Sequence, residues 1–303
     1  MKDSQASTTA KVIAASTVML ANLPADQHLV PTGAAALCRH FLATTWADRC
    51  LAASATSAWT RWWWRALERI THPGITRHYL LRKIWIEAQC RLALQEGVQR
   101  IIVIGAGLDT LALRLAPLWP EVTWMEIDHP ATQAFKRQGL AQAGLHFPVN
   151  LTLLSVDLSI SSLPDALMHD TRRTLVVIEG MLMYLDEANV VSLVRDQVRA
   201  LSTTSVSLIF SYMVRWTKGR SGFRPSSWWV DQWLSWRAEP FKWTMAPQTL
   251  QSWLQVLGFE LLEQAESPFM KDFGSPSNCL RGENLVKCQA IKSQIVQNSV
   301  SDP

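Results

Sequence analysis

Short apolar runs alternate with longer stretches of helical spacing through the second and third quarters of this chain. Residues 100–104 read Arg-Ile-Ile-Val-Ile and stop at a glycine. Similar runs at 122–127, 151–155, 174–179 and 205–211 predict four more strands. Between them, 109–115, 131–143 and 186–201 carry helical patterns, and a last helix is predicted at 246–257, ending at Gly258. This alternation predicts a doubly wound, mostly parallel sheet of the α/β class. Two further strands, at 260–264 and 284–291, have no helix between them and predict a hairpin-like antiparallel edge, for seven strands in all. Residues 11–70 lack strand character and read as several helices. After a break at Thr71-His72-Pro73-Gly74, a longer helix is expected from about 75 to 95. The expected organisation is an N-terminal helical cap over 1–74 and a core over 75–303, interrupted by a Trp-rich insertion or lid at 213–247.

The glycines after the first strand carry the first chemical signal. Gly105-Ala-Gly107 allows a sharp turn and close approach of a ligand to the backbone. About twenty residues on, the second strand ends in Glu126-Ile-Asp128, and an acid there commonly binds ribose hydroxyls. Strand alternation puts both acids on one face, and the spacing alone does not choose between them. A dinucleotide site carries a third glycine where this chain has Thr110, and it leaves the helix N-terminus open to pyrophosphate. Here Asp109 stands at that helix start as a cap and would repel a phosphate. A phosphate-free nucleoside with a sulfonium and an amino-acid tail, S-adenosyl-L-methionine, fits the pattern better.

Three further segments add candidates. On the 75–95 helix, Arg82 shares a face with Ile75, Tyr79, Ile86 and Ala93, opposite Arg77, Glu87 and Arg91. A guanidinium on an apolar face needs a partner, either a structural carboxylate or one on a ligand. Asp157 followed by Leu158, after the third strand, could meet an adenine amino group and cover its ring, or simply cap a loop. Glu179 ends the fourth strand, where ligands bind in such sheets, and Tyr184 follows shortly after.

Taken together, Arg82-Lys-Ile-Trp-Ile-Glu87, Gly105-Ala-Gly-Leu-Asp109-Thr110, Glu126-Ile-Asp128-His-Pro130 and Glu179-Gly-Met-Leu-Met-Tyr184-Leu resemble the leucine carboxyl methyltransferase family. The resemblance runs from about 74 to 185 and includes its bacterial O-methyltransferase branch. It implies a Rossmann-like methyltransferase fold with Arg82 on the cofactor carboxylate and Gly105 against the cofactor. It also implies Asp128 on the ribose, Asp157 and Leu158 at the adenine, and Glu179 near the amino group. Gly107 belongs to the same cofactor turn. Arg82 and Tyr184 match residues near the substrate carboxylate in the family, which makes them the catalytic candidates. The Trp-rich cap and the 213–247 insertion match no substrate-binding pattern of the family.

Composition narrows the partners. The chain has 303 residues, 48% of them apolar, enough for a substantial core. A net charge of +4 without a long basic run gives no argument for nucleic acid. Five scattered cysteines without a C-x-x-C pair argue against a disulfide framework or a zinc site and fit a reducing cytoplasm. The longest apolar stretch near the N-terminus, 12–25, is too short and mixed for a membrane span. The 15 tryptophans cluster at 59–64 and 228–253. Their expected role is to pack a cap onto the core; an aromatic substrate pocket, a partner surface or a membrane contact at Arg61-Trp-Trp-Trp-Arg65 are the alternatives. The expected function is S-adenosylmethionine-dependent O-methylation of a carboxylate or hydroxyl on a small, apolar or aromatic molecule, with no metal. Protein C-terminal carboxyl methylation and NAD(P)-dependent oxidoreduction are the competing readings. A hydroxyl acceptor would need a base, for which His129 and His169 are weak candidates.

Overall fold

The computed structural model describes residues 7–216, 222–224, 241–266 and 280–291. Most of the expected 213–247 insertion, including Trp228, lies outside the described residues. Seven strands form one sheet: β1 Arg100–Ile104, β2 Thr123–Asp128, β3 Leu151–Ser155, β4 Thr174–Ile178, β5 Val206–Met213, β6 Phe259–Ala265 and β7 Glu283–Ala290. Their order is β3-β2-β1-β4-β5-β7-β6. β1 to β5 are parallel, whereas β7 is antiparallel to both β5 and β6. The expected α/β class, strand number and antiparallel edge are therefore present.

β1 is buried on both faces, which explains its uninterrupted apolar run. Ile101 and Val103 join one core with Leu175 and Val177 of β4. Ile102 and Ile104 join the other with Val176 and Ile178. The helices are α1 Thr8–Leu20, α2 Ala34–Phe41, α3 Trp46–Thr56, α4 Ala58–Thr71, α5 Ile75–Gln95, α6 Leu111–Leu115, α7 Pro130–Gln142, α8 Glu187–Val191 and α9 Leu250–Val256. α8 runs on through π-helical turns at Ser192–Val198 and a tight turn at Arg199–Leu201, so the single helix expected at 186–201 is three helical geometries in series.

α5 starts after Gly74, whose positive φ breaks it from α4, and it stops before Gly97, also at positive φ. It is not one-faced. His78, Arg82, Glu87 and Gln89 are all buried alongside Leu81, Trp85 and Ile86. Glu87, on the side opposite Arg82, is buried in an ion pair with Arg114 of α6 (2.7 Å). α7 begins with Pro130, and the His129 ring accepts the Ala131 N–H (3.2 Å) as its cap. Its Gly139 lies so close to α2 that a Cβ there would sit 2.7 Å from Phe41 Cα and 2.8 Å from the His40 carbonyl oxygen.

Strand order fixes where a ligand can enter. The chain winds outward from β1 in one direction and from β4 in the other, which opens a crevice at the carboxyl ends of these two neighbours.

Candidate functional site

The crevice floor is the turn after β1. Gly105 and Gly107 both have positive φ (72° and 54°), a region costly for residues with a Cβ. The Gly105 N–H donates to the Ile127 carbonyl (2.8 Å), which holds the turn against β2. A Cβ on Gly105 would stand 2.7 Å from Met181 Sδ, and one on Gly107 3.5 Å from Ala10 Cβ. Met181 and the start of α1 therefore lie over the turn.

The two acids ending β2 have different tasks. Glu126 is fully buried and accepts from Lys136 Nζ of α7 (2.6 Å). Asp128 is partly exposed at the strand end, where it accepts the N–H groups of Gly107 and His129 (2.6 Å for the latter). Burial, first of all, pushes the Asp128 carboxyl up, against the pull of these two amides. Only Asp128 borders the glycine turn; Glu126 is taken up by its lysine.

Asp109 caps the following helix. Its Oδ1 accepts the N–H groups of Thr110 (2.6 Å) and Leu111 (3.3 Å). Lys83 Nζ lies 3.2 Å from Oδ1, and Lys136 Nζ donates to the Asp109 carbonyl (2.6 Å). Burial works against ionisation, but Lys83, Lys136 and Arg114 outweigh it and hold Asp109 at about 2. The amides that would face a phosphate in a dinucleotide site are thus already bonded to a carboxylate.

Arg82 has the carboxylate partners its position demands, and they come from the protein. Its Nε and Nη2 bond Glu179 (2.9 and 2.7 Å), and its Nη1 bonds Glu283 (2.9 Å). Lys83 Nζ reaches Glu179 (3.1 Å) as well as Asp109, so it ties the end of β4 to the end of β1. The His78 ring bonds Glu283 (2.8 Å), and the Ser211 hydroxyl accepts the Gly180 N–H (2.8 Å). Lys83, His78 and Glu283 were not among the expected site residues. Lys83 follows Arg82 directly in the quoted motif, which was its available signal. Glu283 had none locally. It reaches the site because β7 runs antiparallel, which brings its first residue level with Met213 at the carboxyl end of β5.

Burial opposes ionisation of Glu283, but Arg82 and His78 overcome it and hold the carboxyl at about 2, below its ordinary 4.5. A depressed acid stabilises the fold fully above its unfolded value and loses that contribution as pH falls towards its folded value. The urea midpoint of the wild type should therefore fall between pH 4.5 and about 2, and Glu283→Gln should flatten that fall. Superimposable acid profiles for the two proteins would show that Glu283 contributes nothing to it.

The remaining candidates lie around this centre. Asp157 accepts from the N–H (3.0 Å) and hydroxyl (2.6 Å) of Ser159, and its Oδ2 lies 3.5 Å from His129 Nε2. Leu158 packs on the core that includes Ile102 and Ile104. Tyr184 ends a short helical turn after β4 and packs on Phe241 (ring centroids 6.0 Å). From there an aromatic line continues through Phe223 (6.5 Å) to His78 (5.2 Å). His129 is a helix cap, and His169 is exposed on a loop with its N–H on the Ala200 carbonyl (2.6 Å). Among the described residues, no group of His, Cys, Asp and Glu is arranged to hold a metal ion, and no helix is long and apolar enough to cross a membrane. The described cysteines, Cys38, Cys50, Cys90 and Cys288, are free thiols.

The tryptophans divide in a way the sequence did not suggest. Trp243 and Trp253 pack together in the core (5.3 Å), as expected. In the first cluster only Trp64 leans on the core; Trp59, Trp62 and Trp63 point to solvent, so that cluster does not pack a cap.

Comparison with known proteins adds to this geometry. "Putative S-adenosyl-L-methionine-dependent methyltransferase YktD" of Bacillus subtilis (strain 168) is 28% identical over 136 residues, 44% of each chain. Proteins of the same description are 35% identical over 115 residues in Mycolicibacterium paratuberculosis, covering 37% of this chain and 36% of that one, and 28% identical over 171 residues in Mycobacterium sp. (strain KMS), covering 53% and 62%. This chain thus spans less than two thirds of the length of each of these relatives. Among solved structures, magnesium protoporphyrin IX methyltransferase (ChlM) from Synechocystis PCC 6803 aligns with a TM-score of 0.46 at 10% identity, over 71% of this chain and 87% of that one. Glycopeptide N-methyltransferase MtfA aligns with a TM-score of 0.45 at 18% identity, over 68% and 95%. The family model of leucine carboxyl methyltransferase matches residues 13–197, more than half of the chain, from within α1 to beyond β4, and the protein belongs to that family.

Proposed function

We propose that this protein is an S-adenosyl-L-methionine-dependent methyltransferase that transfers a methyl group to a carboxylate or hydroxyl oxygen of a small molecule. The observation that carries this reading is the charge balance of the crevice. Two cations, Arg82 and Lys83, share it with three carboxylates, Asp109, Glu179 and Glu283. Burial pushes the His78 imidazole down, towards its neutral form, so the network keeps an excess negative charge. Such a site favours a cation and disfavours pyrophosphate. The family membership and the names of the relatives agree with it.

The residues present fit the cofactor. Gly105 keeps the turn free of a side chain beneath Met181, and Asp128, which borders the turn, is the candidate to accept ribose hydroxyls. Arg82 and Glu179, now paired with one another, are complementary to the carboxylate and ammonium of an amino-acid tail. Asp157 and Leu158 are the candidates for the adenine. When bound, S-adenosylmethionine supplies a methyl group on a sulfonium already activated for displacement. The protein's own contribution is then to place the acceptor oxygen in line and to exclude water, worth about 7–11 kcal/mol at best. Met181 and α1 shield the turn, and Tyr184, Phe241 and Phe223 offer a wall to an apolar or aromatic acceptor. A carboxylate acceptor is ionised at neutral pH and needs no base. A hydroxyl acceptor would find one in His78, oriented by Glu283.

The test is incubation with methyl-labelled cofactor and a cell extract, followed by treatment with alkali. Label in small molecules that leaves as methanol marks a methyl ester, and label that survives marks an ether. Label only in macromolecules would favour protein carboxyl methylation. Thermal stabilisation by NAD(P) and none by S-adenosylhomocysteine would defeat the reading. Arg82→Ala should weaken S-adenosylhomocysteine binding by about 1.5–3 kcal/mol, the scale of hydrogen bonds to charged groups, as measured by calorimetry. An unchanged dissociation constant would leave Arg82 a purely structural role.

A further inference from the structure

α4 presents its apolar face to solvent. None of its 14 residues is buried. At 100° per residue Trp59, Trp62, Trp63, Leu67 and Ile70 fall within an arc of about 140°. They are 71%, 59%, 55%, 63% and 72% exposed. The three indoles pack on one another, Trp62 edge-on to Trp63 at 4.9 Å and Trp59 against both at 6.3 and 6.4 Å. The helix is held to the body from its other side. Trp64 packs on the core, and the Glu68 carboxylate accepts the N–H (3.2 Å) and hydroxyl (3.0 Å) of Thr76. Glu68 is the only acid on α4, so no carboxylate lies along the stripe. Arg61, Arg65 and Arg69 follow one flank at four-residue spacing. Arg61 turns back to the Thr56 carbonyl, while Arg65 and Arg69 are exposed.

We propose that α4 docks the protein onto an anionic lipid bilayer. The helix would lie in the plane of the interface, with its indoles among the acyl-headgroup boundary and Arg65 and Arg69 on lipid phosphates. Three features select this occupant. First, the charge is complementary: exposed Arg65 and Arg69 beside an apolar stripe that carries no carboxylate match anionic headgroups above hydrocarbon. Secondly, indoles concentrate at that boundary because they join an apolar body to a polar N–H. Thirdly, the stripe is convex and follows one straight helix, which suits a deformable surface better than a shaped protein groove. Antiparallel pairing of two copies through this face would set their arginine rows along the same edge, with no acid of α4 to separate them. The proposal is independent of the methyl-transfer reading.

Vesicle flotation of the full chain tests it. The protein should float at low salt with vesicles of equal parts phosphatidylglycerol and phosphatidylcholine. Partition should be at least about tenfold weaker with phosphatidylcholine alone, or for Arg65→Glu/Arg69→Glu with the mixed vesicles. Trp59→Ser/Trp62→Ser/Trp63→Ser should abolish flotation while leaving the melting temperature and circular dichroism unchanged, because these side chains are exposed. Wild-type protein that stays at the bottom of the gradient with both kinds of vesicle overturns the proposal. So does flotation that the triple serine variant retains, which would place the contact elsewhere. A dimer seen by light scattering and dissociated by that variant, in a protein that does not float, would assign the face to a second copy instead.

Discussion

A Gly105→Asp variant is expected to fold and to lose S-adenosylhomocysteine binding beyond detection by calorimetry. Position 105 has φ 72°, which Asp tolerates better than most residues, so backbone strain costs about 1–2 kcal/mol of stability. The new side chain meets Met181 at its Cβ, Cγ and Sδ, and a methionine can move aside in part. The new carboxylate would add negative charge to the turn that Asp128 and Asp109 already border, at the place proposed for the cofactor. Repeating the substitution in a Met181→Ala background separates the two effects. The melting temperature should recover in the double variant, and binding should not. Wild-type affinity in either protein would remove the glycine turn from the cofactor site.

Lys136→Met should cost about 3–5 kcal/mol in urea unfolding, the scale for leaving one member of a buried ion pair alone. Lys136 is fully buried, between Glu126 and the Asp109 carbonyl, with Phe41 packed over it. Its loss strands a carboxylate with no access to water and leaves a carbonyl without its donor. Replacing the carboxylate as well, in Lys136→Met/Glu126→Leu, should recover most of the loss, since apolar substitutes for a buried pair are often near neutral. The expected signature is strong non-additivity in a double-mutant cycle. Additive losses would mean that each residue acts through separate partners and that the pair is incidental.

These residues also show how far a chain of this kind can be read unaided. Strand β1 was legible because both of its faces are buried, so an apolar run ends abruptly in glycine. Asp109 was legible as a cap because its neighbours in sequence are its partners in space. Spacing left Glu126 and Asp128 equal, and only the family resemblance pointed to Asp128, because the difference between them comes from Lys136 arriving on the next helix. Glu283 was invisible for the same reason at greater range: it lies 201 residues from Arg82, on a strand whose direction alone places it. Arg82 was correctly seen to need a carboxylate, and two proved to be its own protein's. The first tryptophan cluster misled because an amphipathic stripe ordinarily faces inward, and its spacing is the same whichever way the helix is turned. α5 misled in the opposite sense, since its polar residues are buried against partners on other elements, Glu179, Glu283 and Arg114.

Gly139 has a consequence for traffic through the molecule. With α7 touching the backbone of α2 at that point, the opening helices cannot swing away like a door without breaking a contact that has no slack. They form a fixed jamb. Any widening of the crevice therefore has to come from elements other than α2 and α7.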